Sequence, residues 1–444
     1  GYRGWENFSR WISEYGSIFV HGKTYLTDMS PMPQLLAVVI ISIASTIVLY
    51  VFSNRQKYNL VSVIAILPLG ISPYFLECLS YKYDSPYMAL SVLGSIFPFL
   101  FLEYSKKCFC LASFIGLPIM CMTYQASSGI YILMLIFYCF NKFIKDEYFD
   151  RRNMLVVIFL GVLCFVASLG VYKLFFVKVA NTYVSSELAK NGLLMTAYNN
   201  GNTYIKLILS DIPRVWRNLC VVIFSLFIVN VVVKSKRNKY LTLFVSLAVL
   251  CFGLVLSYGA YLVLQKPLFA TRAMYGFGAF MAIISVIGLT VWDKNVIFKM
   301  SCCYLSWCLF GYAFLYGNAL AEQKRYAEFR IQMVINDLNT LPINQKVSAE
   351  KIILKGATLN SPIVEKWVKM YPVLGREAHS LFGGSDWGWH SAYFYNYYDL
   401  KNMERLNVDK EHISETELNR MPIIYNHRYH EILSDGKYIL VKLK

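Results

Sequence analysis

Residues 76–91, with the sequence LECLSYKYDSPYMALS, place Glu77, Lys82 and Asp84 between two long apolar runs. The chain around them is 57% hydrophobic and only 16% charged, whereas a soluble domain carries about 25% charged residues. Apolar runs of about 17–25 residues, the length that crosses a bilayer, recur on both sides of this stretch. The stretch therefore predicts a loop between two membrane helices. Its charges indicate either a solvated turn or the wall of a site.

Apolar segments recur through the first three quarters of the chain, and they predict an α-helical polytopic membrane protein with about ten helices. The formal net charge of +16 does not indicate a nucleic-acid partner, because the basic residues cluster in short loops between these segments. The predicted segments lie near residues 35–53, 60–76, 87–102, 110–124, 127–144, 154–176, 219–233, 241–264, 274–292 and 297–318.

The loops between the segments alternate in charge, and this alternation predicts their orientation. One set carries 14 Lys and Arg in 40 residues, and it comprises 54–59, 103–109, 141–153, 234–240 and 293–299. The other set carries 11 in 97 residues, and it comprises 1–34, 77–86, 125–126, 177–218 and 265–273. The positive-inside rule makes the first set cytoplasmic and the second set periplasmic. Because the chain begins at Gly1 rather than Met, we expect one further helix upstream, which would give eleven.

The composition becomes polar after residue 318. Residues 322–341 predict an amphipathic helix, and residues 346–356 and 423–444 alternate as strands do, with a tight-turn signal at Ser434-Asp435-Gly436. We therefore expect an outer loop at 1–34, a transmembrane domain at 35–318 and a small periplasmic α/β domain at 319–444.

Polar side chains in the loops predicted to lie outside suggest a site for sugar transfer. A leaving lipid phosphate needs a cation, an acceptor hydroxyl needs a carboxylate base, and a sugar needs aromatic faces and hydrogen-bond donors. The combination is typical of glycosyl transfer from a lipid-linked donor. The predicted catalytic residues are Glu6, Asp28 and Asp84. The predicted substrate-binding residues are Arg10, Lys82, Tyr124, Gln125, Lys266, Arg272, Trp387, Trp389 and His390.

Each of these residues also has a plainer interpretation. Arg272 could anchor to lipid head groups, and Asp84 could belong to a solvated turn. In the second case Tyr81 and Tyr83 would be interfacial. If the stretch is instead an extended site wall, these tyrosines share one face and Lys82 and Asp84 share the other. Pro86 would then begin the next helix and hold Asp84 at its positive end.

Four segments occur in a distinctive order along the first third of the chain: GYRGWENFSRW, LTDMSPMPQLLA, LSYKYDSPYMALSV and MTYQASSGIYIL. They resemble the serotype-converting O-antigen glucosyltransferases of enteric bacteria and their prophages, over residues 1 to about 145 and more loosely beyond. The resemblance implies a GT-C-type fold in the bacterial inner membrane, with the active site facing the periplasm. It also implies undecaprenyl-phosphate-glucose as donor, a sugar of lipid-linked O-antigen as acceptor, and an acidic pair that would lie before Gly1.

Other functions stay open at this point: another GT-C glycosyltransferase, a flippase or transporter of lipid-linked sugars, or an O-antigen polymerase. A transporter should carry charges at membrane depth on several helices, whereas the apolar segments are almost free of ionisable residues. Besides the donor and the acceptor, membrane lipids are expected partners. No cofactor is indicated with certainty, and a divalent metal is left open. The cysteines show no metal-ligand spacing, so no metal ligands are predicted.

Overall fold

The computed structural model describes residues 3–53, 59–145, 150–177, 187–189, 192–341, 351–380, 415–436 and 438–444. The chain forms two compact units, Gly1–Ala313 and Phe314–Lys444. The division falls inside one long helix, close to the change of composition at residue 318.

In its described residues the first unit is helical, and short 3₁₀ turns at Trp5–Phe8, Phe97–Leu100, Gln125–Ser127, Gly259–Val263 and Thr271–Ala273 interrupt it. Its helices are α1 (Trp11–His21), α2 (Met32–Phe52), α3 (Leu60–Ile66), α4 (Pro68–Ile71), α5 (Pro73–Ser80), α6 (Ser85–Ile96), α7 (Lys106–Thr123), α8 (Ser128–Lys145), α9 (Arg151–Phe175), α10 (Leu193–Asp211), α11 (Arg214–Lys234), α12 (Lys239–Leu256), α13 (Gly276–Val291) and the first part of α14 (Val296–Thr340).

Seven described helices or helical stretches are long and apolar enough to cross a membrane, or eight if a bent pair counts as one span. The bent pair, Leu60–Ile71 with Pro73–Ser80, turns by 59° where Pro73 begins α5. Two shorter apolar stretches, Ser85–Leu100 and Gly276–Val291, complete the set. The expectation of a mostly helical membrane protein is confirmed, and each predicted apolar segment coincides with one of these helical stretches.

The stretch 177–218, treated above as an outer loop, contains a 19-residue helix, α10. Its tyrosine, asparagine and threonine residues keep it below the apolarity of a span, which is why hydropathy alone does not identify it. The helix is held by packing, since the Tyr204 ring stacks on Tyr258 with centroids 4.6 Å apart. Asp211 at its end is buried and accepts a hydrogen bond from the Tyr74 hydroxyl at 3.2 Å.

Two glycines let the start of α8 and the start of α13 approach the backbone after α12. A Cβ at Gly129 or at Gly276 would collide with the carbonyl oxygen of Ser257. Ser128 also accepts a hydrogen bond from the Ala260 amide at 3.0 Å. These contacts fix the turn Gly259–Val263 against α8, beside the polar loops described below.

We expect Gly129→Ala to lower the thermal unfolding midpoint of the purified protein in detergent. The added methyl has no space, and overpacking of this kind costs about 1–3 kcal/mol. Gly170→Ala in α9 is the matched control, because a Cβ there meets no atom within 4 Å. The control should be neutral or stabilising by up to about 1 kcal/mol. Equal midpoints for both variants would contradict the close approach at Ser257.

In its described residues, the second unit combines the end of α14 with a four-stranded sheet and three short helices, α15 (Pro362–Met370), α16 (Leu374–Glu377) and α17 (Glu415–Arg420). The strand order is β1-β4-β3-β2, with β1 parallel to β4 and the other pairs antiparallel. The predicted strands and tight turn are confirmed, since Gly436 has φ of 90° between β3 and β4. The strands are β1 (Lys351–Lys355), β2 (Ile423–Asn426), β3 (His430–Ser434) and β4 (Tyr438–Leu443).

The predicted amphipathic helix 322–341 is the continuation of α14 rather than a separate element. Its Ile331, Val334 and Leu338 pack with Ile432 and Val441 of the sheet. The predicted residues Trp387, Trp389 and His390 lie outside the described residues.

Candidate active site

A buried carboxylate joins two loops that are far apart in sequence. Glu77 on α5 is only 2% exposed and accepts hydrogen bonds from the Thr271 hydroxyl and the Arg272 amide. Its other oxygen lies 3.3 Å from a guanidinium nitrogen of Arg272, whose side chain is 21% exposed. Since a buried charge is stable only when it is paired, this arrangement fixes the position of Arg272 while part of the guanidinium still reaches solvent.

The segment Tyr81–Asp84 forms a turn, so the extended arrangement with alternating faces was wrong. The amides of Asp84 and Ser85 both donate to the Tyr81 carbonyl, at 3.2 and 3.0 Å. The Tyr81 ring lies 5.3 Å below the Arg272 guanidinium, while Tyr83 packs against His21. The turn satisfies these backbone amides locally, whereas an extended segment here would need a partner strand.

Asp84 is the N-cap residue of α6, with Pro86 in the first turn, as the sequence predicts. It makes no capping hydrogen bond with its side chain. Instead, the half-buried carboxylate accepts a hydrogen bond from the indole nitrogen of Trp5. Trp5 in turn packs edge-on against Tyr87 with centroids 5.5 Å apart. The loop 1–34 and the loop 77–86 therefore meet at Asp84.

One arginine packs over a buried tyrosine. The Arg10 guanidinium lies 4.5 Å from the centre of the Tyr124 ring. The Tyr124 hydroxyl is buried, since the residue is only 1% exposed. This hydroxyl has no hydrogen-bond partner among the described residues. The Arg10 guanidinium is a cation that can attract an anion.

A chain of hydrogen bonds holds the N-terminal segment onto the helices. The Gln125 side chain donates to the Tyr172 hydroxyl at 2.7 Å, and Tyr172 donates to the Ser9 carbonyl at 3.1 Å. In the same N-terminal segment, Arg3 forms a salt bridge with Glu14 at 3.3 Å. Through Tyr172, Gln125 therefore helps to hold in place the segment that carries Arg10.

Asp28 and Lys82 form an exposed ion pair at 2.6 Å. The hydrogen bond from Lys82 is the main cause that lowers the pKa of Asp28 to about 2. A carboxylate with so low a pKa is a weak base, so the pair is better suited to joining the two loops than to taking a proton.

Two predicted residues lie less centrally. Glu6 is half-buried in the 3₁₀ turn Trp5–Phe8, one residue from the Trp5 that bonds Asp84. Lys266 is exposed, and within the described part of the chain it has no hydrogen bond or ion pair with the other predicted residues.

Sequence reasoning missed Glu77 as a site residue, although it stands in the stretch quoted at the outset. The available signal was its position directly after the apolar run 60–76, since an acid that is buried there needs a partner. Arg272, the only Arg of the loop 265–273, was that partner.

The described residues therefore join four predicted outer loops into one cluster. It brings together two cations, a half-buried carboxylate and the rings of Trp5, Tyr81 and Tyr87, of which Trp5 and Tyr87 are buried. Burial raises the pKa of Tyr81 to about 12, so its hydroxyl remains a donor at neutral pH. Such a set can bind a phosphate and a sugar and accept a proton.

Comparisons with known proteins agree with this chemistry. The family model described as "Glucosyl transferase GtrII" matches residues 1–283. The chain is 24% identical over 408 residues to a protein of Salmonella phage P22 described as an uncharacterized 55.3 kDa protein in the gtrB 5′ region. That match covers 87% of this chain and 81% of the phage protein. No solved structure matches the chain.

Proposed function

This chain belongs to the GtrII glucosyltransferase family and is a glycosyltransferase, and from that premise we propose that it moves glucose from undecaprenyl-phosphate-glucose to a sugar of lipid-linked O-antigen. The product would be the altered O-antigen of serotype conversion. The relative from phage P22, described by its place beside gtrB, supports this role.

The observation that carries the proposal is a pair of cations in loops predicted to lie outside, Arg272 fixed by Glu77 and Arg10 over the Tyr124 ring. The leaving group of the reaction is a lipid phosphate, whose charge rises as the bond to glucose breaks. Arg272, held by Glu77, and Arg10, held over Tyr124, are placed to neutralise that charge. Lys266 and Lys82 would contribute only to the positive electrostatic potential around the site.

Asp84 is the carboxylate best suited to take the proton from the acceptor hydroxyl. It is half-buried and keeps its place through Trp5. Asp28 is paired with Lys82 and has too low a pKa for this task. The oxygens of Glu77 are engaged by Thr271 and Arg272, so Glu77 positions the cation instead. Glu6 would support Trp5.

We also propose that the fold is GT-C-like and that the site faces the periplasm of the inner membrane. The four loops that meet at the site, 1–34, 77–86, 125–126 and 265–273, all belong to the set poor in Lys and Arg. Under the same rule the domain after residue 318 is periplasmic, while 35–318 is embedded in the membrane.

The donor is tested by labelled transfer. Membranes that contain the protein should move radiolabelled glucose from undecaprenyl-phosphate-glucose to lipid-linked O-antigen, and membranes without it should not. Undecaprenyl phosphate carrying a different sugar is the matched control donor. Label transferred only from the control donor would show another glycosyltransferase of the same architecture.

The orientation is tested with a protease-cleavable tag after Lys444. We expect protease added to intact spheroplasts to remove the tag, because the positive-inside rule places this end outside. A tag in the basic loop 234–240 is the control and should be cut only after lysis. The reverse pattern would contradict both the topology and the periplasmic site.

A further inference from the structure

Three side chains of the second unit converge at the sheet end of α14. Asp337 lies on α14, and His427 and His430 flank the turn between β2 and β3. One potential ligand atom from each lies within 4.8 Å of the other two. The His430 side chain is 0% exposed and that of Asp337 is 16% exposed, so the cluster is largely closed to solvent.

The hydrogen bonding of this cluster is incomplete in a specific way. Neither ring nitrogen of His430 has a hydrogen-bond partner among the described residues, and one oxygen of Asp337 also lacks one. Yet the His430 Nε2 atom lies only 2.9 Å from that oxygen. The two atoms approach without the alignment of a donor with an acceptor. Buried polar atoms are normally satisfied, so potential ligand atoms that lie this close together and include unpaired ones suggest a bound cation.

A plain ion pair between His430 and Asp337 explains the cluster less well. Such a pair would orient an N–H toward the carboxylate, and it would not require a second imidazole. His427 nevertheless places its ring 5.3 Å from that of His430. The turn is fixed by a hydrogen bond from the His427 amide to the His430 carbonyl at 2.8 Å. The backbone thus presents both imidazoles to Asp337.

We propose that Asp337, His427 and His430 bind one divalent transition-metal ion of the zinc type, which ties α14 to the β2–β3 turn. Imidazole nitrogens favour zinc and its neighbours, whereas magnesium and calcium prefer sites made of oxygen ligands. Zinc bonds of about 2.0–2.2 Å would separate tetrahedral ligand atoms by about 3.4 Å. The observed cluster needs only small side-chain adjustments to reach that spacing.

The metal would have a structural effect on this unit. The three ligands come from a helix and a hairpin about 90 residues apart in sequence, so one ion would crosslink them, and binding energy adds to folding energy. Arg330, two turns earlier on α14, is held by the carbonyls of Thr358, Tyr429 and Lys444 and is not a ligand.

The test uses the full chain purified in detergent, stripped with EDTA, reloaded with ZnCl₂ and desalted. We expect about one zinc ion per chain by elemental analysis. His427→Ala should bind zinc about ten-fold more weakly or worse, and Asp337→Asn should show the same loss. Because His427 is only half-buried and the hydrogen bond that closes the turn comes from its backbone amide, we expect the hairpin to stay folded after truncation. His379→Ala, at an exposed histidine of the same unit, is the matched control and should bind like the parent.

Cobalt provides an independent signal from the same protein. Bound Co²⁺ should give visible ligand-field bands in the parent and in His379→Ala, and these bands should be missing in His427→Ala. Zinc-dependent thermal stabilisation should follow the same pattern. No bound zinc in the parent would overturn the proposal, as would equal zinc affinity in the parent and His427→Ala, or a preference for Mg²⁺ over Zn²⁺.

Discussion

Replacing Arg272 by Ala is expected to lower the rate of glucosyl transfer by about 10²–10³. The guanidinium is fixed by Glu77 and lies over the Tyr81 ring. A charge held in place before the reaction stabilises the leaving phosphate without reorganisation. Its loss should therefore affect the chemical step, and weaker donor binding should accompany it.

The matched control is Lys266→Ala, which removes a cation from the same loop. Lys266 is exposed, so its loss should change the rate little, apart from a small dependence on ionic strength. Arg272→Lys should recover only part of the activity, because a lysine cannot reproduce the planar fork of a guanidinium. Transfer is measured at equal amounts of inserted protein over a range of donor concentrations.

One structural effect must be separated from catalysis. Arg272→Ala leaves Glu77 buried without its cation, and breaking a buried pair in this way costs about 3–5 kcal/mol. The double variant Glu77→Gln/Arg272→Ala removes both charges and should restore stability but not activity. If the double variant regains transfer, Arg272 acts only through the fold, and the phosphate must be bound elsewhere.

The helices could be predicted because their signal is local. An apolar run such as 35–53 specifies a membrane helix by itself, and α2 lies there. The strands before and after Ser434–Gly436 were likewise marked by alternation and by a turn glycine. Helix α10 was missed because it is stabilised by contacts with Tyr258 and Tyr74, which no window of its own sequence contains.

The candidate site was predicted in its residue types but not in its pairings. Charged and aromatic residues in outer loops are visible one by one. Which acid meets which base depends on the packing of segments about 195 residues apart, as for Glu77 and Arg272. The same is true of Asp337 with His427 and His430, where a two-residue gap between histidines is visible but the carboxylate is not. Long-range pairing is the part that a single sequence leaves undetermined.

Asp84→Asn is expected to lose most of the glucosyl transfer, by about 10²–10⁴, because an amide cannot accept the proton of the acceptor hydroxyl. The substitution is structurally mild. Asn is as good an N-cap as Asp for α6, and its side-chain oxygen can still accept the hydrogen bond from Trp5. The amount of inserted protein and its thermal stability should therefore stay close to those of the parent.

Asp28→Asn is the matched control for Asp84→Asn, since both remove one carboxylate charge from neighbouring loops. The Asp28 pair with Lys82 is half-exposed, and surface pairs of this kind contribute about 0–1 kcal/mol. Its loss should change transfer by less than about ten-fold.

Comparing the two variants at several donor concentrations separates a base from a general requirement for negative charge. If Asp84 is the base, its loss lowers kcat with little change in the KM for the donor. If only the negative charge of the loops matters, Asp84→Asn and Asp28→Asn should change the transfer rate alike. If Asp84→Asn gives the same curve as the parent, the stretch 76–91 is only a turn, and the proton must go to another carboxylate, with Glu6 the next to be tested.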